Sequence, residues 1–199
     1  MPAAPTQDRA RETYDRIVLA TLDLIGKIGP ADVDHRKIAD AANVSLARTT
    51  YYFASRDDML RAAYDRLLEM DRAWFATARR ELNPHLTARA DLLAAAMNLA
   101  SLDFARRRGQ AMACLAVALE ARRDETAARV YIGLLGHRRE YFTRLFERAG
   151  FDRSVERAAL LLSCYLGFLL RMAGVSSRAP AKTTVQEAMT RYLDVAFRL

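Results

Sequence analysis

The sequence predicts an all-α protein, an amino-terminal three-helix bundle joined to a larger helical domain, and three observations carry that expectation. First, the 199 residues are 52% hydrophobic and 28% charged with only eight Gly and five Pro, so few points interrupt a helix. Second, Ala, Leu and Arg recur in nearly every segment, and apolar residues return at steps of three and four. Third, neither a strand pattern nor an internal repeat is visible. A chain of this length suits one domain or a small module attached to a larger one.

Taken in order, Asp8 to Ile28 reads as a helix whose apolar face is Ile17, Ala20, Leu24 and Ile28, and Gly29-Pro30 stops it. Asp34 is placed to cap a short helix through about Ala42, because its carboxylate accepts the free amides of the first turn. Asn43 suits the left-handed residue that ends a helix. Ser45 then caps a helix running to about Phe53, and two short helices joined by a three-residue turn read as a helix-turn-helix. Ser55-Arg56-Asp57-Asp58 matches a capping box opening a long helix through about Leu82, which Asn83-Pro84 ends. Further helices are expected over Thr87–Arg107, Gln110–Arg122, Glu125–Ala149, Ser154–Ala173 and Thr184–Arg198.

The net charge of +7 resembles a nucleic-acid footprint, but its distribution does not support that reading. Up to Leu60 eight basic residues face nine acidic ones, a net of −1, so any positive face must be found residue by residue. The two cysteines, Cys114 and Cys164, lie far apart in apolar helical stretches, as expected of buried thiols in a reducing compartment. The longest apolar run, Ala158 to Leu170, is too short to span a bilayer, and Met1 to Thr6 does not read as a leader; a cytoplasmic location without membrane attachment follows as an expectation. His35, His85 and His137 have no metal-ligand spacing to Cys, Asp or Glu, no phosphate-binding Gly loop occurs, and no Ser, Cys or Lys has a visible local base. The sequence therefore predicts no enzyme, no cofactor and no metal.

Ile17, Ala20, Leu24, Gly29, Ile38-Ala39, Ala42-Asn43-Val44-Ser45, Tyr52-Phe53, Ser55-Arg56 and Leu60 together resemble the amino-terminal signature of the tetracycline-repressor (TetR) family of regulators, at the family's spacing and over about the first quarter of the chain. Asn43 stands for the usual Gly and Arg56 for the usual Lys, which keeps a cation for phosphate. Thr49 and Thr50 stand where the family has a buried Leu and a DNA-touching aromatic, so base preference does not transfer. The resemblance implies a helix-turn-helix DNA-binding domain over 1–58 and a helical effector-binding and dimerisation domain over 59–199. The implied partners are double-stranded operator DNA, a second copy of the chain and a small-molecule effector.

On the second helix of the motif Leu46, Ala47, Arg48, Thr50 and Tyr51 are expected to project, with Val44, Thr49 and Phe53 inward. Arg48 can make two hydrogen bonds to guanine, and Ala47 or Thr50 can touch a thymine methyl. By resemblance Arg36 reads a base, while Tyr51, Tyr52 and Arg56 hold phosphates. The apolar run at 160–170 reads as a helix buried against its own core and something else, and with a stripe on the last helix it fits the four-helix dimer interface that the resemblance implies, for which Leu162, Tyr165, Leu166, Leu169, Met189, Tyr192 and Phe197 are the candidates. Trp74, Phe75, Met97, Phe104, Met112, Leu115, Tyr131, Leu135, Phe142, Phe168 and Met172 are the candidates for an apolar or aromatic effector pocket, with ordinary core as the plainer reading of each. Arg106-Arg107-Arg108 reads most simply as a solvated helix end, and as a greeting for an anionic ligand in second place. The function expected is a repressor released from a pseudo-palindromic operator by its effector; the second reading is a dimeric DNA-binding regulator with no effector.

Overall fold

The computed structural model of the chain describes residues 6–82, 107–174 and positions 95, 187 and 191. Among them are α1 (Thr6–Ile28), a 3-10 turn (Pro30–Asp32), α2 (His35–Ala42), α3 (Leu46–Tyr52), α4 (Arg56–Arg80), α5 (Arg108–Glu120), α6 (Glu125–Arg148) and α7 (Ser154–Gly174). The helices expected at 87–107 and 184–198 lie almost wholly outside the described residues. The other bounds agree with the sequence within about two residues, the ordinary fraying of helix ends. None of the described helices is long and apolar enough to cross a membrane.

The chain forms two compact units, one of residues 1–70 with 112–131 and the other of 71–111 with 132–199. In the first, α1 buries Ile17, Val18, Thr21, Leu22 and Ile25. That stripe is rotated from the expected one: only Ile17 is shared, Ala20 and Leu24 are half-buried, and Ile28 is 40% exposed. The helix is apolar on more than one face, so spacing alone did not select which. Buried Thr21 donates to the Ile17 carbonyl at 2.8 Å, satisfying its hydroxyl within its own helix. Ile38, Ala39 and Ala42 of α2, Phe53, and Met59, Leu60, Ala63, Tyr64 and Leu67 of α4 complete this core with Ala113, Cys114, Val117, Ala127 and Val130.

In the second unit an aromatic chain fills the interior. Phe75 meets Tyr141 edge-on at 5.7 Å, Tyr141 meets Phe142 at 5.6 Å, and Phe142 meets Tyr165 at 5.8 Å. Burial pushes the Tyr141 phenol up to about 12. α6 ends in a Schellman turn at Gly150, whose φ is 74°: Gly150 N–H donates to Glu147 O and Phe151 N–H to Phe146 O, both at 3.1 Å. Phe151 and Phe146 also make the apolar contact that accompanies this turn, at 5.9 Å. Both cysteines are free thiols, Cys114 buried and Cys164 half-buried, and burial raises the Cys164 thiol.

Candidate functional site

The helix-turn-helix forms through the local signals that its sequence carries. The Asp34 carboxylate accepts the Lys37 amide at 2.8 Å, and that bond holds its carboxyl below the usual range. Asn43 takes the left-handed conformation, φ 51° and ψ 53°, and the Schellman pair follows: Asn43 N–H to Asp40 O at 3.2 Å and Val44 N–H to Ala39 O at 3.0 Å. The capping box closes reciprocally, with Ser55 N–H donating to Asp58 Oδ2 at 3.1 Å and Asp58 N–H to Ser55 Oγ at 3.2 Å. Ser45 stands at the N-cap of α3 with extended backbone, but its hydroxyl makes no capping bond.

At 100° per residue, α3 divides its side chains as expected. Thr49 is fully buried, Phe53 is buried and Val44 is half-buried, while Leu46, Ala47, Arg48, Thr50 and Tyr51 face water. Tyr51 is 82% exposed. The Thr50 hydroxyl turns back to the carbonyls of Leu46 and Ala47, at 3.3 and 3.1 Å. Tyr52 is half-buried against Tyr14 at 6.2 Å and Tyr51 at 5.2 Å, and Tyr14 stacks on Phe53 at 5.1 Å. Arg36 is exposed in the first turn of α2.

Arg56 is engaged differently from the sequence expectation. Its guanidinium turns to the 3-10 turn, donating from Nε to Val33 O at 2.8 Å and from Nη2 to Pro30 O, with Asp57 at 3.3 Å from Nη1. The cation thus holds the chain between α1 and α2. Two further residues that the sequence did not single out fix this region. Arg16 donates from Nη2 to Ala42 O and Asn43 O, 2.7 Å each, tying α1 to the turn of the motif. His35 meets Thr49 across that turn, Nδ1 to Oγ1 at 3.3 Å. No local pattern marks either, because the partners lie 26 and 14 residues away.

The other candidates are placed as follows. Leu162, Tyr165 and Leu169 are buried within their own unit, so the exposed face of α7 is a different one: Val155, Ala159, Ser163, Gly167 and Leu170, with Leu166 at its edge. Met189, Tyr192 and Phe197 lie outside the described residues. Of the effector candidates, Phe75 and Phe142 are core; Trp74, Met112, Leu115, Tyr131 and Leu135 are half-buried; Met97 and Phe104 lie outside the described residues, as do the side chains of Phe168 and Met172. A pocket of about 170 Å³ in the first unit, beside Tyr64, is lined by Arg56, Asp57, Arg61, Glu120 and Asp124. Its charged lining and small size do not suit an apolar effector.

Arg107 is not the solvated helix end that was expected. It is 9% exposed, stacks over the Trp74 ring at 4.8 Å and reaches Asp71 at 3.6 Å. Asp71 itself is fully buried, paired with Arg138 at 2.9 and 3.0 Å and with His137 Nδ1 at 3.1 Å. The signal was present in the sequence: Asp71 falls on the stripe of Leu60, Tyr64, Leu67 and Phe75, where an acid needs partners.

No protein-family model matches the sequence, and no curated protein matches it either. Solved structures match over nearly the whole length. A transcriptional regulator from Rhodococcus sp. Rha1 is 23% identical, with 93% of this chain and 96% of that chain covered at a TM-score of 0.74. A TetR transcription regulator from Haloarcula marismortui is 19% identical over 93% of this chain and 98% of that chain, TM-score 0.73. The multidrug binding protein EbrR, solved with ethidium, is 24% identical over 90% and 98%, TM-score 0.61. The likeness first carried by a quarter of the sequence thus extends in three dimensions along the chain, which has the fold of the TetR-family transcriptional regulators.

Proposed function

We propose that this protein is a sequence-specific DNA-binding transcriptional regulator, a homodimeric repressor that leaves a pseudo-palindromic operator when a small apolar or aromatic effector binds. Residues 1–58 read DNA and residues 59–199 bind the effector and dimerise, a division by role that is separate from the packing of the two units. The observation that carries this reading is the two-sided character of α3: Thr49 and Phe53 root it, while Arg48, at the middle of the free face, is exposed. Such a helix offers a guanidinium to guanine and small apolar groups to thymine.

Tyr51 and Tyr52 are suited to phosphates, and Arg36 to a base at the edge of the site. One seven-residue helix makes too few base contacts for useful discrimination, which favours two copies spaced by about one DNA turn. The exposed stripe of α7 supplies a face for pairing, and Gly167 within it leaves open space for a close helix approach. EbrR was solved with an aromatic compound, which favours an effector of that kind here. Selection from a random duplex library at several salt concentrations tests the reading: an enriched palindrome with steep salt dependence is expected, and no enrichment at any salt overturns it.

A further inference from the structure

We infer that the first unit holds a site for a small organic cation, an alkylammonium, in the cavity where Tyr64 meets Glu120 and Asp124. It is a second site, and it stands or falls apart from the aromatic effector. Its first observation is the cavity itself, of about 170 Å³, far above the roughly 10 to 15 Å³ that one water needs. Every residue of the lining belongs to the first unit, from the start of α4, the end of α5 and the entry to α6. The second observation is an unmet hydroxyl. Tyr64 lines the cavity, is 3% exposed, and its phenol makes no hydrogen bond among the described residues. A buried hydroxyl without a partner is costly, and the cavity is where a partner can enter.

The third observation is the sign of the lining. Asp57, Glu120 and Asp124 bring carboxylates to it, and Arg56 and Arg61 bring guanidiniums. Both guanidiniums are engaged: Arg56 donates to Val33 O and Pro30 O and pairs with Asp57, while Arg61 reaches Asp58 at 3.5 Å. One oxygen of Asp124 accepts the Ala127 amide at 2.6 Å. The half-buried Glu120 carboxylate, by contrast, has neither a hydrogen bond nor an ion pair among the described residues. The phenol registers the imbalance, because burial first, then Asp124 and Glu120, push it up to about 12. An ammonium carries a positive charge and several N–H donors, so it can serve Glu120, the other oxygen of Asp124 and a lone pair of the Tyr64 hydroxyl together. Pro30 and Leu60 give a short alkyl chain its apolar contact. Water would serve the hydroxyl and leave the charge, and an anion would meet carboxylates.

The test is a titration of the full-length protein with n-butylammonium chloride at constant ionic strength, followed through backbone amides in a proton–nitrogen correlation spectrum. Butanol, butyrate and tetramethylammonium are the neutral, anionic and donor-free cationic comparators. Saturable shifts centred on residues 57–64 and 120–126 are expected with butylammonium, and every comparator should bind about ten-fold more weakly or not at all. Glu120→Gln keeps the size and removes the charge, and should weaken butylammonium about ten-fold. Tyr64→Phe keeps the ring and removes the hydroxyl, and should weaken it about five-fold; should that variant fail to fold, Glu120→Gln alone decides. Equal affinity for any comparator would overturn the inference, as would no shift at all. Shifts confined to the second unit would also overturn it, and would make the amine a ligand of the effector domain instead. Parent affinity in Glu120→Gln would take that carboxylate out of the site and overturn the inference as stated.

Discussion

Nδ1 of His35 lies 3.3 Å from the hydroxyl of Thr49, joining the first turn of α2 to the middle of α3. The same hydroxyl lies 2.8 Å from Leu46 O, and when it donates there its lone pairs are left to accept from a proton on Nδ1. Thr49→Val keeps the shape and deletes the hydroxyl. Stability should fall by about 0.5 to 1.5 kcal/mol, read from urea midpoints. A midpoint equal to that of the parent protein would show that the contact contributes nothing.

Arg48→Ala should weaken specific DNA binding by about 1 to 3 kcal/mol and relax preference at one position per half-site, as expected when a bidentate base contact is lost. Selection profiles of parent and variant check this. An unchanged profile would place the guanidinium off the bases.

Arg56→Ala tests the placement of that side chain on the Pro30–Val33 turn. Loss of charge-assisted bonds to two backbone carbonyls should cost about 1 to 3 kcal/mol of stability. The slope of log affinity against log salt should stay as it is. A phosphate contact would instead leave stability intact and reduce that slope by roughly one unit.

Leu170→Asp and Leu162→Asp should fail in different ways. Leu170 is 60% exposed on α7, so its substitution should leave the fold intact and abolish the dimer, seen by sedimentation at unchanged helicity. Leu162 is buried within its own unit, where an unpaired carboxylate should cost at least about 3 kcal/mol and unfold the chain. A Leu170→Asp protein that remains dimeric would move the interface off this face.

Tyr141 predicts an alkaline transition. Its folded value of about 12 lies above the ordinary 10.0, so folding favours the neutral phenol; that stabilisation is complete below pH 10 and is lost as pH climbs towards 12. Roughly 2 to 3 kcal/mol is at stake. Tyr141→Phe should therefore lose less stability than the parent between pH 9 and pH 11.5. Parallel losses would mean that the phenol titrates normally.

What the sequence made legible was local. Asp34, Asn43 and the Ser55–Asp58 box act on amides within a turn or so of themselves, so their residue types and spacing suffice to place them. The inward and outward faces of α3 followed from helical period alone. The partners of Arg16, Arg56 and Asp71 were not legible, because they lie 23 to 67 residues away and only the packed chain supplies them. Of the dimer candidates on α7, Leu162, Tyr165 and Leu169 are buried in their own unit for a related reason. A helix that is apolar all round does not say which face its own unit will take, and the face with Tyr165 was taken inward.

Leu46 and Tyr51 keep 47% and 82% of their surface in water. Closing a duplex against them removes apolar surface from solvent, and that removal lowers the heat capacity of the complex relative to its parts. The enthalpy of association then becomes more favourable with warming while its entropy becomes less so, and a plot of log affinity against reciprocal temperature bends. Binding by this helix should thus have a temperature of maximum affinity, a calorimetric signature that phosphate neutralisation alone would not give.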